Sequence, residues 1–210
     1  MTTFRPSEMS LEEFTVRSAS KDPVPGGGGV SALAGSLAAS LAEMVTNLTI
    51  GKKKYIEYTE ELITLREKAE SLRKELLACI ERDAEAFAPL AEAYSLPKDT
   101  EGYALKMENC LRDAAKPPFA IMELCKEVIE LDERLSVIGS KLAVSDAATS
   151  VILAHGAMYG SYMNVIVNTR LMKDKDYAAG VESKAGELLD HYGPKALEIY
   201  DSVLRRLTNG

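Results

Sequence analysis

Apolar residues recur at alternating three- and four-residue intervals through nearly the whole chain. This spacing is typical of amphipathic α-helices, and no segment combines strict alternation with the β-branched enrichment of strands. The pattern therefore predicts an all-α protein, an array of about five to six long, partly kinked helices that forms a single domain over residues 1–210.

Start signals mark the first two helices. Ser10-Leu-Glu-Glu13 has the form of a capping box, in which the hydroxyl and the carboxylate each accept from the other residue's backbone amide. After a rigid extended piece, Lys21 to Pro25, a second helix is predicted from about Val30 to Leu48. Its many Ser, Ala and Gly residues let another backbone approach closely, so we expect this helix to be central.

The third predicted helix, about Tyr55 to Tyr94, is the longest. At 1.5 Å per residue it measures about 57 Å, whereas a compact chain of this size has a radius of gyration of about 17 Å. The helix therefore either kinks at Pro89 or extends to pack on a second subunit, and we predict a helical-bundle homodimer. Asp83 is the only charged residue on its apolar seam, which consists of Leu62, Leu65, Ala69, Leu72, Leu76, Cys79, Asp83, Ala86 and Leu90.

Helical spacing resumes over residues 103–135. Pro117-Pro118 lies inside this stretch and removes backbone donors, so a kink or break is expected there. A further helix is predicted over about 145–171, and a last one over about 177–207 with a disturbance at Gly193-Pro194.

Composition narrows the possible functions. The 210 residues include 46% apolar and 27% charged residues, and the net charge of −7 argues against a dedicated nucleic-acid binder. The three cysteines lie in helical patterns and are odd in number, which argues against a disulfide scaffold. Because no secretory pattern opens the chain and no apolar run reaches membrane-spanning length, we expect a cytoplasmic protein without membrane or nucleic-acid partners.

Asp83 is the first candidate for chemistry. A carboxylate in an apolar seam must either find a partner or raise its pKa and hold a proton, and either state suits a general acid or base. The alternative is a seam that rotates outward near Pro89, which would leave Asp83 in water or paired with a neighbour of Arg82.

Two further segments have the composition of anion sites. Gly26 to Gly29 precede a predicted helix N-terminus, whose free amides suit a carboxylate or phosphate, although a mobile surface loop explains the run equally well. Lys52, Lys53 and Lys54 follow the end of the same helix, either as a landing site for a polyanionic small molecule or as solvated cations that favour a helix C-terminus.

The two histidines suggest no metal centre. His155 lies on an apolar helix face, as a hydrogen-bonded core residue would. Glu187 and His191 share a face at positions i and i+4, but no second carboxylate–histidine set accompanies them.

Two long motifs carry a family resemblance. They are Lys21-Asp-Pro-Val-Pro-Gly-Gly-Gly-Gly-Val30 and Asn47-Leu-Thr-Ile-Gly-Lys-Lys-Lys-Tyr55. With both, the chain resembles the cyclodeaminase domain of formiminotransferase-cyclodeaminase, a family that also contains stand-alone methenyltetrahydrofolate cyclohydrolases. Weaker matches extend the likeness over nearly the whole chain, at Asp83-Ala-Glu-Ala-Phe87, Tyr94-Ser-Leu-Pro-Lys98, Ser145-Asp146-Ala147 and Asn164-Val165. The chain departs from the family pattern at Gly29, where Ser is common, and at Ala148, where Gly is common.

The resemblance implies an all-helical dimer that acts on folate-bound one-carbon units without a metal or redox cofactor. It places the family's catalytic aspartate at Asp83. The pterin would bind near the glycine run, with Asp22 or Asp146 available to its nitrogens, and the three lysines would attract a glutamate or polyglutamate tail. The substrate-binding residues expected on this basis are Lys21, Asp22, Pro25, Gly26, Gly27, Gly28, Gly29, Asn47, Lys52, Lys53, Lys54, Ser145 and Asp146.

The reaction stays open between related chemistries. The leading expectation is a cyclodeaminase, which converts 5-formiminotetrahydrofolate to 5,10-methenyltetrahydrofolate and ammonia. The alternative is a cyclohydrolase, which converts 5,10-methenyltetrahydrofolate to 10-formyltetrahydrofolate. A non-catalytic helical dimer scaffold and an anion or nucleotide binder built on the glycine run are the rival classes.

Overall fold

A computed structural model describes residues 5–209 and confirms the all-α class, because this part of the chain contains helices and no strand. The six α-helices are α1 (Leu11–Ser18), α2 (Gly27–Asn47), α3 (Thr59–Ser95), α4 (Tyr103–Ile138), α5 (Val144–Thr169) and α6 (Lys175–Thr208). Two short 3-10 helices, Pro6–Glu8 and Lys53–Tyr58, precede α1 and α3.

Helix α2 lies at the centre of the bundle, as its small side chains predict, and packs against α3, α4 and α5. Ala32, Ala38 and Ala42 are fully buried. A Cβ built on Gly35 would lie 3.0 Å from Leu76 of α3 and 3.1 Å from Cys125 of α4. The small residues of α2 therefore allow two long helices to approach its backbone.

The predicted start of α1 is confirmed, whereas α2 begins earlier than predicted. The capping box is present, with Ser10 Oγ accepting from the Glu13 amide and the Glu13 side chain accepting from the Ser10 amide. Helix α2 begins three residues before Val30, because Gly26 is its N-cap and the next three glycines form its first turn. The glycine run is therefore not a loop but the start of the central helix.

Helix α3 runs unbroken past Pro89 and, with 37 residues, is about 55 Å long. Pro89 has no N–H to donate to the Glu85 carbonyl. Both residues lie on the exposed side of the helix, where this carbonyl is accessible to water. The predicted seam is mostly buried, since Leu62, Leu76 and Leu90 are at most 1% exposed.

A kink or a break was expected at Pro117-Pro118, and helix α4 is continuous through both prolines, so there is no break. Pro118 has no N–H for the carbonyl of Ala114, and that carbonyl instead accepts a hydrogen bond of 3.2 Å from Asn168 Nδ2 of α5. Helix α6 is likewise continuous through Gly193-Pro194. There the glycine makes room for α5, because a Cβ on Gly193 would lie 2.7 Å from the Tyr159 hydroxyl oxygen.

The outer side of α2 is an apolar seam without a charged residue. We call it the α2 seam, and its residues follow one another at intervals of four and three: Val30, Ala34, Leu37, Leu41, Met44 and Leu48. Leu37 is 49% exposed and Leu48 is 46% exposed. The neighbouring helix α5 also exposes Met163 and Val167. By length and composition α2 could cross a membrane, yet more than half of its apolar stretch is buried inside the bundle.

Candidate active site

Asp83 lies in the C-terminal half of α3, with its carboxyl group against the first turn of α2. A Cβ built on Gly28 would lie 2.5 Å from Asp83 Oδ2 and closer still to Oδ1, so the carboxyl group occupies the space of a missing side chain. Burial raises the pKa of Asp83 to about 6, and a hydrogen bond from the Gly29 amide partly offsets this effect. The carboxyl group is thus neither free in solvent nor paired with a cation.

Arg82, the cation next to Asp83 in the sequence, is engaged elsewhere. Arg82 Nη1 donates to Cys79 Sγ at 3.8 Å, one turn back along α3. Within residues 5–209 no Lys, Arg or His nitrogen comes within 4 Å of the Asp83 carboxylate. The charge of Asp83 is therefore compensated mainly by the positive N-terminus of α2.

The N-terminus of α2 supplies backbone donors next to this carboxyl group. The amides of a helix's first turn have no intrahelical acceptor, and glycines leave them accessible to a ligand. Gly28 and Gly29 are buried, whereas Gly27 is exposed. In the first turn of α2, Gly27 is therefore accessible to a ligand, while Gly28 and Gly29 lie buried against Asp83.

Asn164 of α5 completes this end of the bundle and was not among the predicted site residues, although Asn164-Val165 was a weak family match. A Cβ on Gly27 would lie 2.9 Å from Asn164 Nδ2 and 3.3 Å from Oδ1. The Nδ2 group donates to the Gly160 carbonyl at 2.8 Å, which leaves Oδ1 available to a ligand. Its position next to a glycine of the first motif becomes visible only in the folded chain.

The segment before α2 lies at the same end. Pro25 is buried and contacts the glycine turn, since a Cβ on Gly29 would lie 3.1 Å from Pro25 Cβ. Lys21 and Asp22 are exposed, and an Asp22 oxygen lies 3.4 Å from Arg17 Nε. We call the residues at this end of the bundle the glycine end. They are Lys21, Asp22, Pro25, Gly26 to Gly29, Asp83 and Asn164.

The second predicted group lies around the other end of α2. Lys52 Nζ donates to Ser140 Oγ at 2.9 Å, in the connection between α4 and α5. The Tyr55 hydroxyl oxygen accepts from the Lys141 amide at 3.0 Å, and this bond, helped by Lys54, lowers the pKa of Tyr55. Arg206 of α6 donates a hydrogen bond to the Ser136 carbonyl. Arg206 also lines a cavity of about 330 Å³, whose other lining residues are Lys54, Tyr55, Val137, Gly139, Lys141, Val144 and Leu207.

We call this second group the lysine end. It contains Lys52, Lys53, Lys54, Lys141 and Arg206, and none of these five has a carboxylate oxygen within 4 Å in the described chain. The remaining predicted residues lie here too: Asn47 is at the C-terminus of α2, and Ser145 and Asp146 are in the first turn of α5. The structure thus divides the predicted substrate-binding residues into two groups.

The length of α2 separates these two ends. Its 21 residues correspond to about 31 Å. Within one subunit, Lys52 to Lys54 and Asp146 therefore do not share a pocket with Asp83 and the glycine turn, contrary to the single site that the sequence suggested.

The sequence profile described as formiminotransferase-cyclodeaminase matches residues 10–187. The chain belongs to the formiminotransferase-cyclodeaminase family. Over 198 residues it is 37% identical to the methenyltetrahydrofolate cyclohydrolase of Methylorubrum extorquens, a match that covers 92% of this chain and 95% of that protein. It is 26% identical to the formimidoyltransferase-cyclodeaminase of Mus musculus, but spans only 38% of that longer protein.

A solved structure supports the same relationship for this formiminotransferase-cyclodeaminase family member. The crystal structure of formiminotetrahydrofolate cyclodeaminase from Thermotoga maritima superposes with a TM-score of 0.82 at 27% identity. The match covers 94% of this chain and 98% of the other. The family fold therefore extends over nearly the whole of the described bundle.

The histidines of this family member take no part in either end. His155 packs its ring against Tyr159 at a centroid distance of 4.5 Å, and burial lowers its pKa. Glu187 accepts from Ser183 Oγ at 3.1 Å. Over residues 5–209 no group of three or more His, Cys, Asp or Glu side chains is placed to hold a metal ion.

Asp132 is a second perturbed carboxyl group that the sequence analysis missed. It is fully buried in α4, and burial raises its pKa well above the usual value. Its Oδ2 lies 2.6 Å from Ser150 Oγ of α5, which also contacts the Ala38 carbonyl of α2 at 2.7 Å. A protonated Asp132 that donates to Ser150, with Ser150 donating to Ala38, satisfies this chain of bonds between three helices.

Proposed function

We propose that this protein is a methenyltetrahydrofolate cyclohydrolase, which adds water to 5,10-methenyltetrahydrofolate and releases 10-formyltetrahydrofolate. Family membership makes it an enzyme that acts on a folate one-carbon derivative. The relative that it matches at 37% identity over 95% of that protein's length carries the cyclohydrolase name. The proteins of cyclodeaminase name match at 25–27% identity. We therefore reverse the order that the sequence suggested.

The observation that carries the proposal is the Asp83 carboxyl group, held against Gly28 with its pKa raised to about 6. With this pKa the ionised form of Asp83 is the major one at pH 7. An ionised carboxylate out of bulk water stabilises the cationic methenyl carbon and accepts a proton from the attacking water. Both roles belong to hydrolysis of a cation.

The proposed reaction balances with Asp83 as the only protein group that carries a proton and with solvent as the acceptor of the second proton. Water attacks the methenyl carbon and gives one proton to Asp83, which leaves a neutral hydroxyl adduct that bridges N5 and N10. The bond from this carbon to N5 then breaks, N5 takes the proton from Asp83, and the hydroxyl proton leaves to solvent. The carbon stays on N10 as a formyl group, so one water is consumed and one proton is released.

Formiminotetrahydrofolate cyclodeamination is the second candidate, because the Thermotoga maritima structure of that name superposes over 94% of this chain. In that reaction N10 closes the ring and the former imino nitrogen leaves as ammonia after it is protonated. Asp83 would act there as an acid in its protonated form, which is the minor form at pH 7 for a pKa of about 6.

Separate assays with the two substrates test the proposal. Purified protein should consume 5,10-methenyltetrahydrofolate, followed as loss of the methenyl absorbance above the spontaneous rate, and should act more slowly on 5-formiminotetrahydrofolate. Faster gain of methenyl absorbance from the formimino substrate would make the protein a cyclodeaminase. Turnover of neither substrate would favour a scaffold or anion binder and overturn the proposal.

We also infer that the protein is a homodimer that pairs through the α2 seam. Leu37 and Leu48 are 49% and 46% exposed on a helix side with no charged residue, and Met163 is 65% exposed on the neighbouring helix. An exposed helix side that is apolar and uncharged is typical of subunit interfaces. Sedimentation of the protein at micromolar concentration should give the mass of a dimer, and a variant with Leu37→Lys should sediment as a monomer. A monomeric wild-type mass would contradict the inference.

A further inference from the structure

We infer that Asn164 recognises the pterin ring of the substrate. Its Oδ1 accepts a hydrogen bond from the ring N3–H group, while the free amides of the first turn of α2 donate to the neighbouring ring oxygen O4. This inference rests on the proposed function, because it names the part of a folate that the glycine end binds. It assigns Asn164 to substrate binding and leaves the proton transfer to Asp83.

The first support is the fixed orientation of the Asn164 side chain. Its Nδ2 donates to the Gly160 carbonyl at 2.8 Å, one turn back along α5. A carbonyl oxygen can only accept, so the amide nitrogen and not Oδ1 faces Gly160. Among the described residues 5–209, no donor contacts Oδ1. The partly buried Asn164 side chain therefore presents a hydrogen-bond acceptor without a partner.

The second support is the set of donors that lies beside this acceptor. A Cβ built on Gly27 would lie 3.3 Å from Asn164 Oδ1, and Gly27 is exposed. The amides of Gly27 and Gly28 belong to the first turn of α2 and have no acceptor within the helix. Because glycine has no side chain, a flat ring can approach these amides and Oδ1 from the same side.

This combination of donors and an acceptor fits a lactam better than an anion. In the pterin lactam, O4 accepts hydrogen bonds and the adjacent N3–H group donates one, so the amides and Asn164 Oδ1 match the two in order. A phosphate or carboxylate offers acceptors only. It would place its charge against Asn164 Oδ1 and the Asp83 carboxyl group, both of which are oxygen acceptors. The glycine end is therefore poorly suited to a simple anion.

The two aspartates expected to bind the pterin nitrogens are not available for this role. Asp22 is exposed, and its carboxylate lies 3.4 Å from Arg17 Nε. Asp146 is in the first turn of α5, at the lysine end. Asp83 accepts from the Gly29 amide and carries the proton in the proposed reaction. Asn164 thus supplies the remaining side-chain acceptor of the glycine end.

Asp83 and Asn164 are separated by a distance that the reactive part of a folate spans. Cβ positions of successive helical residues are about 5 Å apart, so Asp83 Oδ2, 2.5 Å from the Gly28 position, and Asn164 Oδ1, 3.3 Å from the Gly27 position, are at most about 11 Å apart. The methenyl carbon and N3 are four bonds apart, or roughly 4–5 Å. With contacts of about 3 Å at both ends, such a ligand bridges about 10 Å.

Two substitutions of Asn164 separate recognition from a structural role. Asn164→Ala and Asn164→Asp both lose the bond from Nδ2 to the Gly160 carbonyl, but only the aspartate keeps an oxygen acceptor. The dissociation constant of 10-formyltetrahydrofolate, a product with a neutral pterin, should rise about ten-fold in Asn164→Ala and stay near the wild-type value in Asn164→Asp. Asn109→Ala, on the exposed side of α4, is the matched control and should bind like the wild type.

Kinetics and a modified ligand test the same contact. In Asn164→Ala, KM for 5,10-methenyltetrahydrofolate should rise with little change in kcat, and the inflection of kcat/KM that Asp83 causes near pH 6 should remain. Product methylated at N3 lacks the donor, so it should bind about ten-fold more weakly than product to the wild type. Asn164→Ala should bind the methylated and unmethylated products about equally.

Two results would overturn the role of Asn164 and leave the proposed function intact. Equal weakening of product binding in Asn164→Ala and Asn164→Asp would show that only the bond to Gly160 matters. An N3-methyl group that weakens binding by the same factor in the wild type and in Asn164→Ala would show that N3–H bonds elsewhere. Absence of folate binding and turnover in the wild type would instead refute the proposed function.

Discussion

The carboxyl group of Asp83 occupies the position that a side chain on Gly28 would fill. A Cβ on Gly28 would lie 2.5 Å from Asp83 Oδ2, well inside the distance of ordinary contacts. The two residues are 55 positions apart in the sequence, and each explains the other: the glycine admits the carboxyl group, and the carboxyl group lies at the free amides of the helix.

Gly28→Ala should therefore displace the carboxyl group while most of the bundle stays folded. A shift of about 1 Å in a catalytic group lowers turnover by about 10²-fold, and we expect kcat to fall by about this factor. Gly186→Ala is the matched control, because a Cβ there meets nothing within 4 Å and should leave kcat unchanged. The control should also gain roughly 0.5–1 kcal/mol of stability from the lower backbone entropy of alanine. Unchanged kcat in Gly28→Ala would show that the contact has no catalytic role.

Asp83→Asn should lower kcat by roughly 10²-fold or more and leave folate binding largely intact, because the amide keeps the shape of the carboxyl group but cannot accept a proton. Steady-state kinetics together with binding of the reaction product would separate the two effects. Wild-type turnover in this variant would falsify the assignment.

The pH dependence of wild-type turnover distinguishes the two roles of the same group. Burial raises the pKa of Asp83 to about 6. If the ionised form acts as a base, kcat/KM for hydrolysis rises with pH up to about 6 and is flat above it. If the protonated form acts as an acid in deamination, kcat/KM is flat below about 6 and falls above it. The profile of Asp83→Asn should lack this inflection in either case.

The sequence pattern alone identified the helical class and the residue at the centre of the proposed chemistry. Asp83 interrupts an apolar seam with a period of three and four residues, and such a seam is readable without a structure. The start of α1 at the Ser10 capping box and the central position of α2 were predictable for the same reason, because each prediction depends only on residues that are close in the sequence.

The errors came from contacts between distant segments. Glycine disfavours helices, so the helix was predicted to begin only at Val30. The space that the Asp83 carboxyl group requires explains why the first helical turn has a glycine at position 28. A kink or a break was predicted at Pro117-Pro118, because local spacing does not show that Asn168 replaces the donor that Pro118 lacks. The separation of the two motifs could have been found, since a predicted helix of 19 residues already lay between them.

The lysine end should contribute to substrate binding rather than to the chemical step. Replacing Lys52, Lys53 and Lys54 with alanine should raise KM, more for polyglutamylated folates than for the monoglutamate, with little change in kcat. The difference from wild type should shrink as salt rises, because salt screens these exposed charges. A variant with Lys68, Lys74 and Lys126 changed to alanine loses the same charge elsewhere and should keep the wild-type KM. Equal KM values for the two triple variants would remove the lysine end from substrate binding.

The buried carboxyl group of Asp132 should make stability depend on pH in a direction opposite to that of ordinary surface carboxylates. Burial raises its pKa well above the usual value, so the folded protein keeps a proton that the unfolded chain loses above about pH 4. Folding then takes up a proton, and the free energy of unfolding falls as pH rises from about 4 toward the pKa of the folded state. The slope from this group is at most about 1.4 kcal/mol per pH unit.

Asp132→Asn removes this penalty and preserves the hydrogen bond, since the amide can donate to Ser150 Oγ as the protonated acid does. The Tm of the variant should therefore exceed that of the wild type by an amount that grows from pH 5 to pH 8. Ser150→Ala is the control for the bond itself: it should lower Tm at every pH, because it leaves Asp132 and the Ala38 carbonyl without their shared partner. A pH-independent difference between Asp132→Asn and the wild type would mean that Asp132 is ionised in the folded protein.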